Sequence, residues 1–597
     1  MAQSVTKPQQ EEILHTALER FRVRCGAESE IRAEALQDLE FVYNIGNGQW
    51  PPEVQKDRKN RPMLTSNKLR KFVSVVANQI ISTRPAIGVT PVDDQSDPTV
   101  AKVLEDLIRN IEYQSTAEAV YARATEHAVA MGFGFWRLLT RYIPGTFEQE
   151  VYLDAIQNPF SVYLDPDREY GFIRKTMTKV EFERKYPQAA LVDFSNQGMG
   201  DTALQWCEGE RPIVAEYFWK EPTTVTLAQV RNTLTGRTQV VSLSDGLTKK
   251  ALQEQGLEIL RTREETTSVV KWATVTGAEV LDTNDWPGQD IPIIEVCGDH
   301  QEVNGRLYKR SLVRDAKDPQ RMFNYWLSAM TETIALAPKA PFLMTPQEIQ
   351  GFEQMWNDAN LENRTYLLFN QAGGRVPSRE RPPEVPTGAM TMLKLADQDI
   401  KDVIGIFEPG LGDVSNERSG VAIRARQSRS DRGTEHFYEH LRLAIIQTGR
   451  QLIDLIPKLY DTARIARIRG VDGQEQFIPI NTPMFDPATG ETRLLNDLSV
   501  GKYDIEASMR TYQTRREEAT QGMLQALQYA PSMAPVILEY VFKYSDWPGA
   551  EEIAAAIRAA KEQMMAQSPP LKSASSNGAP PPMSGMIPGS PQGGFNG

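Results

Sequence analysis

Cysteine is scarce. Three residues in 597, Cys25, Cys207 and Cys297, lie far apart with no Cys-x-x-Cys pair to suggest a zinc knuckle or dithiol redox centre, so buried thiols are expected. No uninterrupted apolar run approaches the ~18 residues of a membrane-spanning helix. The opening MAQSVTKPQQEEIL lacks the basic start and unbroken apolar stretch of a secretory signal, so a cytosolic product is expected. Excess positive charge is missing too: 66 Lys and Arg against 78 Asp and Glu leave a net charge of −12. That excludes a tight, passive nucleic-acid binder, whose affinity comes from neutralising phosphates, but leaves room for loose contact with a sliding duplex.

Enzyme signatures are absent as well. Gly501-Lys502 is followed by Tyr503, not by the Ser or Thr of a phosphate-binding loop, and no Gly-x-Ser-x-Gly elbow occurs. Gly132-Phe133-Gly134 follows a helical pattern rather than a strand, so it is a helix cap and not a dinucleotide fingerprint. Asp165 and Asp167 open a stretch like a calcium loop, but the glycine falls one place late and the twelfth position is Thr176, which cannot chelate; a turn between strands is expected. No fixed-period repeat is present, against a solenoid or propeller.

What is there reads as a large α+β protein of ~3 to 4 units. Apolar spacings of three and four predict helix over 10–43, and two helices over 97–131, opened by Asp97-Pro98 and closed at Gly132 and Gly134. β-branched and aromatic clusters predict strands at 147–156, 213–220, 267–277 and 291–298. A helix is expected over 308–336, then a Pro- and Gly-broken insert to Pro386 in which MTPQEIQGFEQMWNDANLEN forms one amphipathic helix, then helix again over 390–407. A loop, EPGLGDVSNERSG, precedes a long helix to about Asp461, followed by short strands and a proline-interrupted helical block over 515–563. Between Ser568 and Gly597, Ser, Pro and Gly supply 19 of 30 residues, so disorder is expected there.

The most unusual stretch is SNERSGVAIRARQSRSDRGTEHFYEH, with five arginines in fifteen positions. Its His436-x-x-Glu439-His440 spacing matches an inverted zinc-protease site, and a zinc-dependent hydrolase is the alternative function it raises. Helical projection instead puts Ile423, Phe437, Leu441, Ile445, Leu452 and Ile456 on one stripe. Both histidines fall opposite it beside Arg429, Arg432 and Arg450, where a second cation is disfavoured. A polar, partner-facing helix surface is the preferred reading, and no catalytic, metal or cofactor residue is assigned. A merely solvated face with i,i+4 pairs is the bland alternative.

The order helix, insert, helix, glycine-flanked charged loop, long helix is similar to that of the portal proteins of tailed bacteriophages, in particular of short-tailed phages. The segments carrying the likeness are RPMLTSNKLRKFVSVVANQIISTRPAIGVTP, STAEAVYARATEHAVAMGFGFWRLLTRY, NPFSVYLDP, PIIEVCGDHQEVNGRLYKRSLVRDAKDPQRMFNYWLSAM, SNERSGVAIRARQ, LNDLSVGKYDIEASM with the following TRREEA, and DWPGAEEIAAAI. The resemblance implies a non-enzymatic, ring-forming connector, usually a dodecamer, at one capsid vertex of the virion, made in the host cytoplasm. Its implied partners are other copies of itself, double-stranded DNA in an axial channel, the terminase large subunit, tail adaptor proteins, and major capsid and scaffolding proteins, with no membrane and no cofactor.

Carried onto this chain, the resemblance implies an N-terminal helical segment at 1–49, a wing at 50–305, stem helices at 306–337 and 387–407, and a clip at 338–386. A channel-facing loop follows at 408–420, then a long wing helix at 421–461, a wing β segment at 462–513, a helical crown at 514–563 and a disordered tail at 564–597. Asn416, Glu417, Arg418 and Ser419 would line the channel. Arg424, Arg426, Arg429 and Arg432 would touch DNA or neighbouring subunits. Some such portals extend the crown into a helical barrel; the Pro, Gly and Ser content after Gln563 makes none expected here.

Overall fold

The computed structural model describes residues 6–82, 85–92, 96–189, 207–208, 211–232, 238–243, 257–336, 342–359, 362, 364–371, 376–379, 387–405, 435–470, 475–485, 492–508, 522–527, 534–543, 553 and 556–559. They belong to two compact units, Met1–Tyr512 and Gln513–Gly597.

The first unit begins with one long helix, α1 (Lys7–Tyr43), started by a Thr6/Gln9 capping box and stopped by Asn44 in the left-handed region. A short helix, α2 (Pro52–Asp57), and α3 (Leu69–Ser82) lead into β1 (Ala86–Pro91). Asp97 accepts from the Thr99 N–H and Pro98 occupies the first turn of α4 (Pro98–Gln114), a start read correctly from sequence because capping is local chemistry. Next come α5 (Ala117–Met131), β2 (Phe133–Tyr142), β3 (Gln149–Ala155), β4 (Val162–Leu164) and β5 (Tyr170–Thr176). Arg168 at φ 58° makes the turn between β4 and β5, where its N–H bonds the Asp165 carbonyl at 3.0 Å. The calcium-like spelling is therefore a turn, as expected.

After α6 (Lys179–Lys185) and β6 (Cys207–Glu208), β7 (Arg211–Asn232), β8 (Thr238–Leu243), β9 (Leu257–Val275) and β10 (Val280–Asp285) build a sheet ordered β10-β9-β7-β5-β4, with β6 and β8 also on β7. β7 and β9 pair from Ala215↔Val275 to Asn232↔Leu257. Only their near half covers the core. Their far half is an exposed ribbon with its own small apolar cluster of Ala228, Val230 and Leu257.

β11 (Ile293–Cys297) pairs with β2, and β12 (Asp299–Val303) pairs with β13 (Arg306–Arg310) around the left-handed Asn304 and Gly305. The helix expected to begin at 306 or 308 therefore begins later: α7 spans Lys317–Leu336, because the Asn-Gly turn folds the preceding residues into a hairpin. The insert also differs from expectation. After β14 (Phe342–Leu343), two short helices, α8 (Pro346–Ile349) and α9 (Glu353–Asn357), replace the single amphipathic one. Gly351 sits between them at φ +90°, a conformation a continuous helix cannot contain. β15 (Ser378–Arg379) pairs back on β14. Helix α10 (Thr387–Ile404) packs beside α7, and α11 (Glu435–Leu459) follows.

β16 (Arg464–Arg469) with β17 (Glu475–Ile480), and β18 (Thr482–Phe485) with β19 (Thr492–Leu495), are hairpins. β20 (Tyr503–Ser508) closes the unit by pairing antiparallel with β1, Ala86↔Ser508 to Pro91↔Tyr503. The main core joins α3, α4, α5, α10 and α11 through residues such as Leu104, Tyr121, Trp136, Ile400, Leu441 and Leu452. In the second unit the described residues include helix α12 (Ala534–Lys543), with Val541 buried, and helical turns at 522–527 and 556–559. The expected disordered tail and absent barrel lie outside the described residues.

Candidate functional site

All eight arginine-loop residues named from sequence, Asn416, Glu417, Arg418, Ser419, Arg424, Arg426, Arg429 and Arg432, lie outside the described residues. Their anchors lie inside. Ile400 and Ile404 at the end of α10 and Phe437 and Leu441 at the start of α11 are buried in the same core cluster, so both ends of the intervening 406–434 segment leave from one packed body.

Of the projected stripe, Phe437, Leu441, Ile445, Leu452 and Ile456 are all buried on α11, and Ile423 lies outside the described residues. The zinc spelling does not build a metal site. Glu439 accepts two hydrogen bonds from Arg442, at 2.8 and 2.5 Å, and the guanidinium holds its carboxyl below the usual range. Among the described residues no group of three His, Cys, Asp or Glu side chains is placed to hold an ion. The zinc-hydrolase alternative thus finds no support. His440 also departs from the expected partner-facing surface: its ring lies 4.8 Å from that of His300 on β12 and 6.2 Å from His436. Nothing in the sequence spacing brings His300 to α11.

The helix pair α7 and α10 is positioned by a device that sequence reasoning missed. Gln320, Asn324 and Ser328 stand four residues apart on α7 and are fully buried. Their side chains receive the backbone N–H groups of alternate residues in the segment running past: Lys68 to Gln320 Oε1 at 3.1 Å, Ser66 to Asn324 Oδ1 at 3.0 Å, and Leu64 to Ser328 Oγ at 2.9 Å. The periods match, since four helical residues rise about 6 Å and two extended residues about 6.6 Å. Residues 64–68 therefore obtain a sheet-like ladder from side chains instead of a strand. One turn further, Glu332 pairs with Arg58 at 2.8 Å. Lys68 pairs with Asp397 of α10, so this strap ties the two helices together.

The available signal was the polar stripe Gln-x-x-x-Asn-x-x-x-Ser in an otherwise amphipathic helix. Asn324 also donates to Gln49 Oε1 at 2.8 Å and accepts from Gln320 Nε2 at 3.1 Å. Replacing it with Leu strands the Ser66 N–H and Gln49 Oε1, at roughly 1 to 3 kcal/mol each before relaxation, while Gln320 Nε2 keeps its bond to the Ser66 carbonyl. Asn324→Leu is expected to lower stability by about 3 kcal/mol or more, read as a drop in the urea midpoint at unchanged slope.

Apolar side chains remain exposed on the helix pair: Met322, Tyr325 and Ile334 on α7, and Met390, Leu395 and Val403 on α10. No helix among the described residues is long and apolar enough to cross a membrane.

A curated relative, "Portal protein" of Acyrthosiphon pisum secondary endosymbiont phage 1, is 22% identical over 541 residues, covering 83% of this chain and 72% of the relative. The model of the family described as phage P22-like portal protein matches residues 18–584, and since that span holds the strap, the helix pair with its insert, the arginine segment and most of both units, the chain belongs to the P22-like portal protein family.

Proposed function

We propose that this chain is the subunit of a ring, dodecameric as implied by the family, that occupies one vertex of a phage capsid and serves as the conduit for DNA during packaging and ejection. The observation carrying this reading is the helix pair α7 and α10, which brackets the 338–386 insert and leaves apolar residues uncovered in a single chain. In this reading α7 and α10 are the stem, the insert is the clip that docks the terminase large subunit and later the tail adaptors, 50–305 with α11 and 462–513 form the wing, and 514–563 the crown. Capsid and scaffolding proteins contact the outside. The chain does no catalysis, and a separate motor supplies the energy of packaging. Electron microscopy of the purified protein tests the architecture: rings with a central hole are expected, and a uniformly monomeric particle would overturn it.

The 408–420 loop faces the channel in this proposal, with Asn416, Glu417, Arg418 and Ser419 lining it and Arg424, Arg426, Arg429 and Arg432 meeting DNA or a neighbouring subunit. One Arg418 per subunit gives a ring of weak phosphate contacts, and neighbouring Glu417 and Asp413 limit the attraction, so a duplex is guided rather than trapped. Arg418→Glu is expected to leave ring assembly intact and stability within about 0.5 kcal/mol of wild type. Packaged or retained genome should fall severalfold. Normal packaging by Arg418→Glu rings, or an image placing the loop on the outer surface, would remove the channel assignment.

A further inference from the structure

Three of the chain's five histidines, His300, His436 and His440, meet where the β12–β13 hairpin touches the first turns of α11. The position matters. Between residues 310 and 435 the chain makes its whole excursion through α7, the insert, α10 and the arginine segment, and the histidine contact joins the two ends of that excursion. We propose that the imidazoles of His436 and His440, with His300 packed against His440, form a pH-sensitive latch at the base of the excursion, docked when neutral and loosened when protonated.

The charges around it favour this direction. On α11, Glu439 is committed to Arg442, and Glu435 is exposed in the first turn. Tyr438 is half-buried, with its hydroxyl pushed toward the protonated form by burial. From β13, Lys309, the register partner of His300, is paired with Glu295, and Arg310, the partner of Asp299, is paired with Asp315. Burial holds the Cys297 thiol protonated, its pKa up at about 12. His436 is exposed in the first turn of α11; Asp299 favours its charged form, and partial desolvation outweighs that pull, leaving the ring below the ordinary histidine value. His440 is lowered by burial and then by His300 and His436, against a smaller opposite pull from the Gly298 and Cys297 backbone.

Because the docked pKa values of His436 and His440 lie below the free one, the undocked state takes up protons more readily. The latch is therefore intact above the ordinary histidine pKa of 6.5 and weakens as pH falls below it. No metal and no exposed carboxylate network is needed.

Hydrogen exchange of the full-length protein at about pH 7.5 and about pH 5.5, corrected for intrinsic rates, tests this. In peptides covering 298–310 and 435–445 the opening equilibrium should rise severalfold at the lower pH, as the undocked imidazoles take up protons. Peptides from β2 and β3 should change little. In His300→Asn/His440→Asn the rise should be nearly abolished. His300→Asn alone, a substitution at an exposed position, gives the same comparison should the double variant fold poorly. No rise in wild type, or an equal rise in the histidine variants, would overturn the latch.

Discussion

Gly134→Ala is expected to prevent recovery of folded protein, or to lower stability by more than about 3 kcal/mol, beyond the usual range for an overpacked core. The added Cβ would lie 2.0 Å from the Ala124 carbonyl oxygen, 2.7 Å from its carbon and 2.9 Å from its Cα. All three atoms are backbone of α5, so no side chain can swing away. Either α5 lifts from β2 or the strand pairing between β2 and β11, in which Gly134 faces Val296, must break. Both consequences fall in the main core, where Tyr121 of α5 and Trp136 of β2 lie 4.9 Å apart. Gly26 is the control. It stands on α1, where an added Cβ would meet nothing within 4 Å, and Gly26→Ala should raise stability by about 0.5 to 1 kcal/mol through helix propensity alone. Thermal midpoints and soluble yield of the two variants make the comparison; a Gly134→Ala protein melting with wild type would show that α5 is not seated as close as described.

The same glycine shows what a sequence discloses and what it withholds. Gly132 and Gly134 were legible together as the stop of a helix, and Gly132 at φ 98° is that stop. The reason for Gly134 is a close approach between two elements, and no local pattern reports a distance between chain segments. Elements governed by local rules were readable: the Asp97-Pro98 start, the α11 stripe, the core halves of β7 and β9. In their far halves 221–224 and 260–266 are exposed on the ribbon, so no burial alternation announced them. The Asn304-Gly305 turn was a local signal passed over for the helical pattern beyond it. The 64–68 strap carries no strand signature, because its ladder partners are the side chains of a helix. His300 and His440 are joined only by tertiary structure. The order of elements around the arginine segment, in contrast, was legible as a family resemblance without any of these details.

Asp38→Ala should be the most damaging change that leaves the backbone free to pack. Asp38 is fully buried on α1 and accepts from Ser311 Oγ at 2.7 Å and from Arg314 at 3.1 and 2.9 Å, while Lys317 pairs with its other oxygen. One carboxylate thus neutralises two cations that are themselves largely buried. It does so where the β12–β13 hairpin gives way to α7, whose N-terminal dipole end also favours a negative charge. Removing it leaves Arg314 with Glu34 as a remaining partner and leaves Lys317 uncompensated beside the helix start. Breaking one side of a buried ion cluster costs about 3 to 5 kcal/mol, chiefly because the opposite charges stay behind. A large drop in the denaturant midpoint is expected, with faster proteolysis at 311–317 and fewer of the proposed rings, since α7 loses its tether to α1. The cause can be separated from simple loss of packing. If stranded charge dominates, Lys317→Met on the Asp38→Ala background should recover part of the loss, and the pair should be far from additive. An Asp38→Ala/Lys317→Met protein no more stable than Asp38→Ala would place the cost in the cavity left by the carboxylate, and the ion cluster would then be a consequence of how α1 and α7 pack rather than what fixes them together.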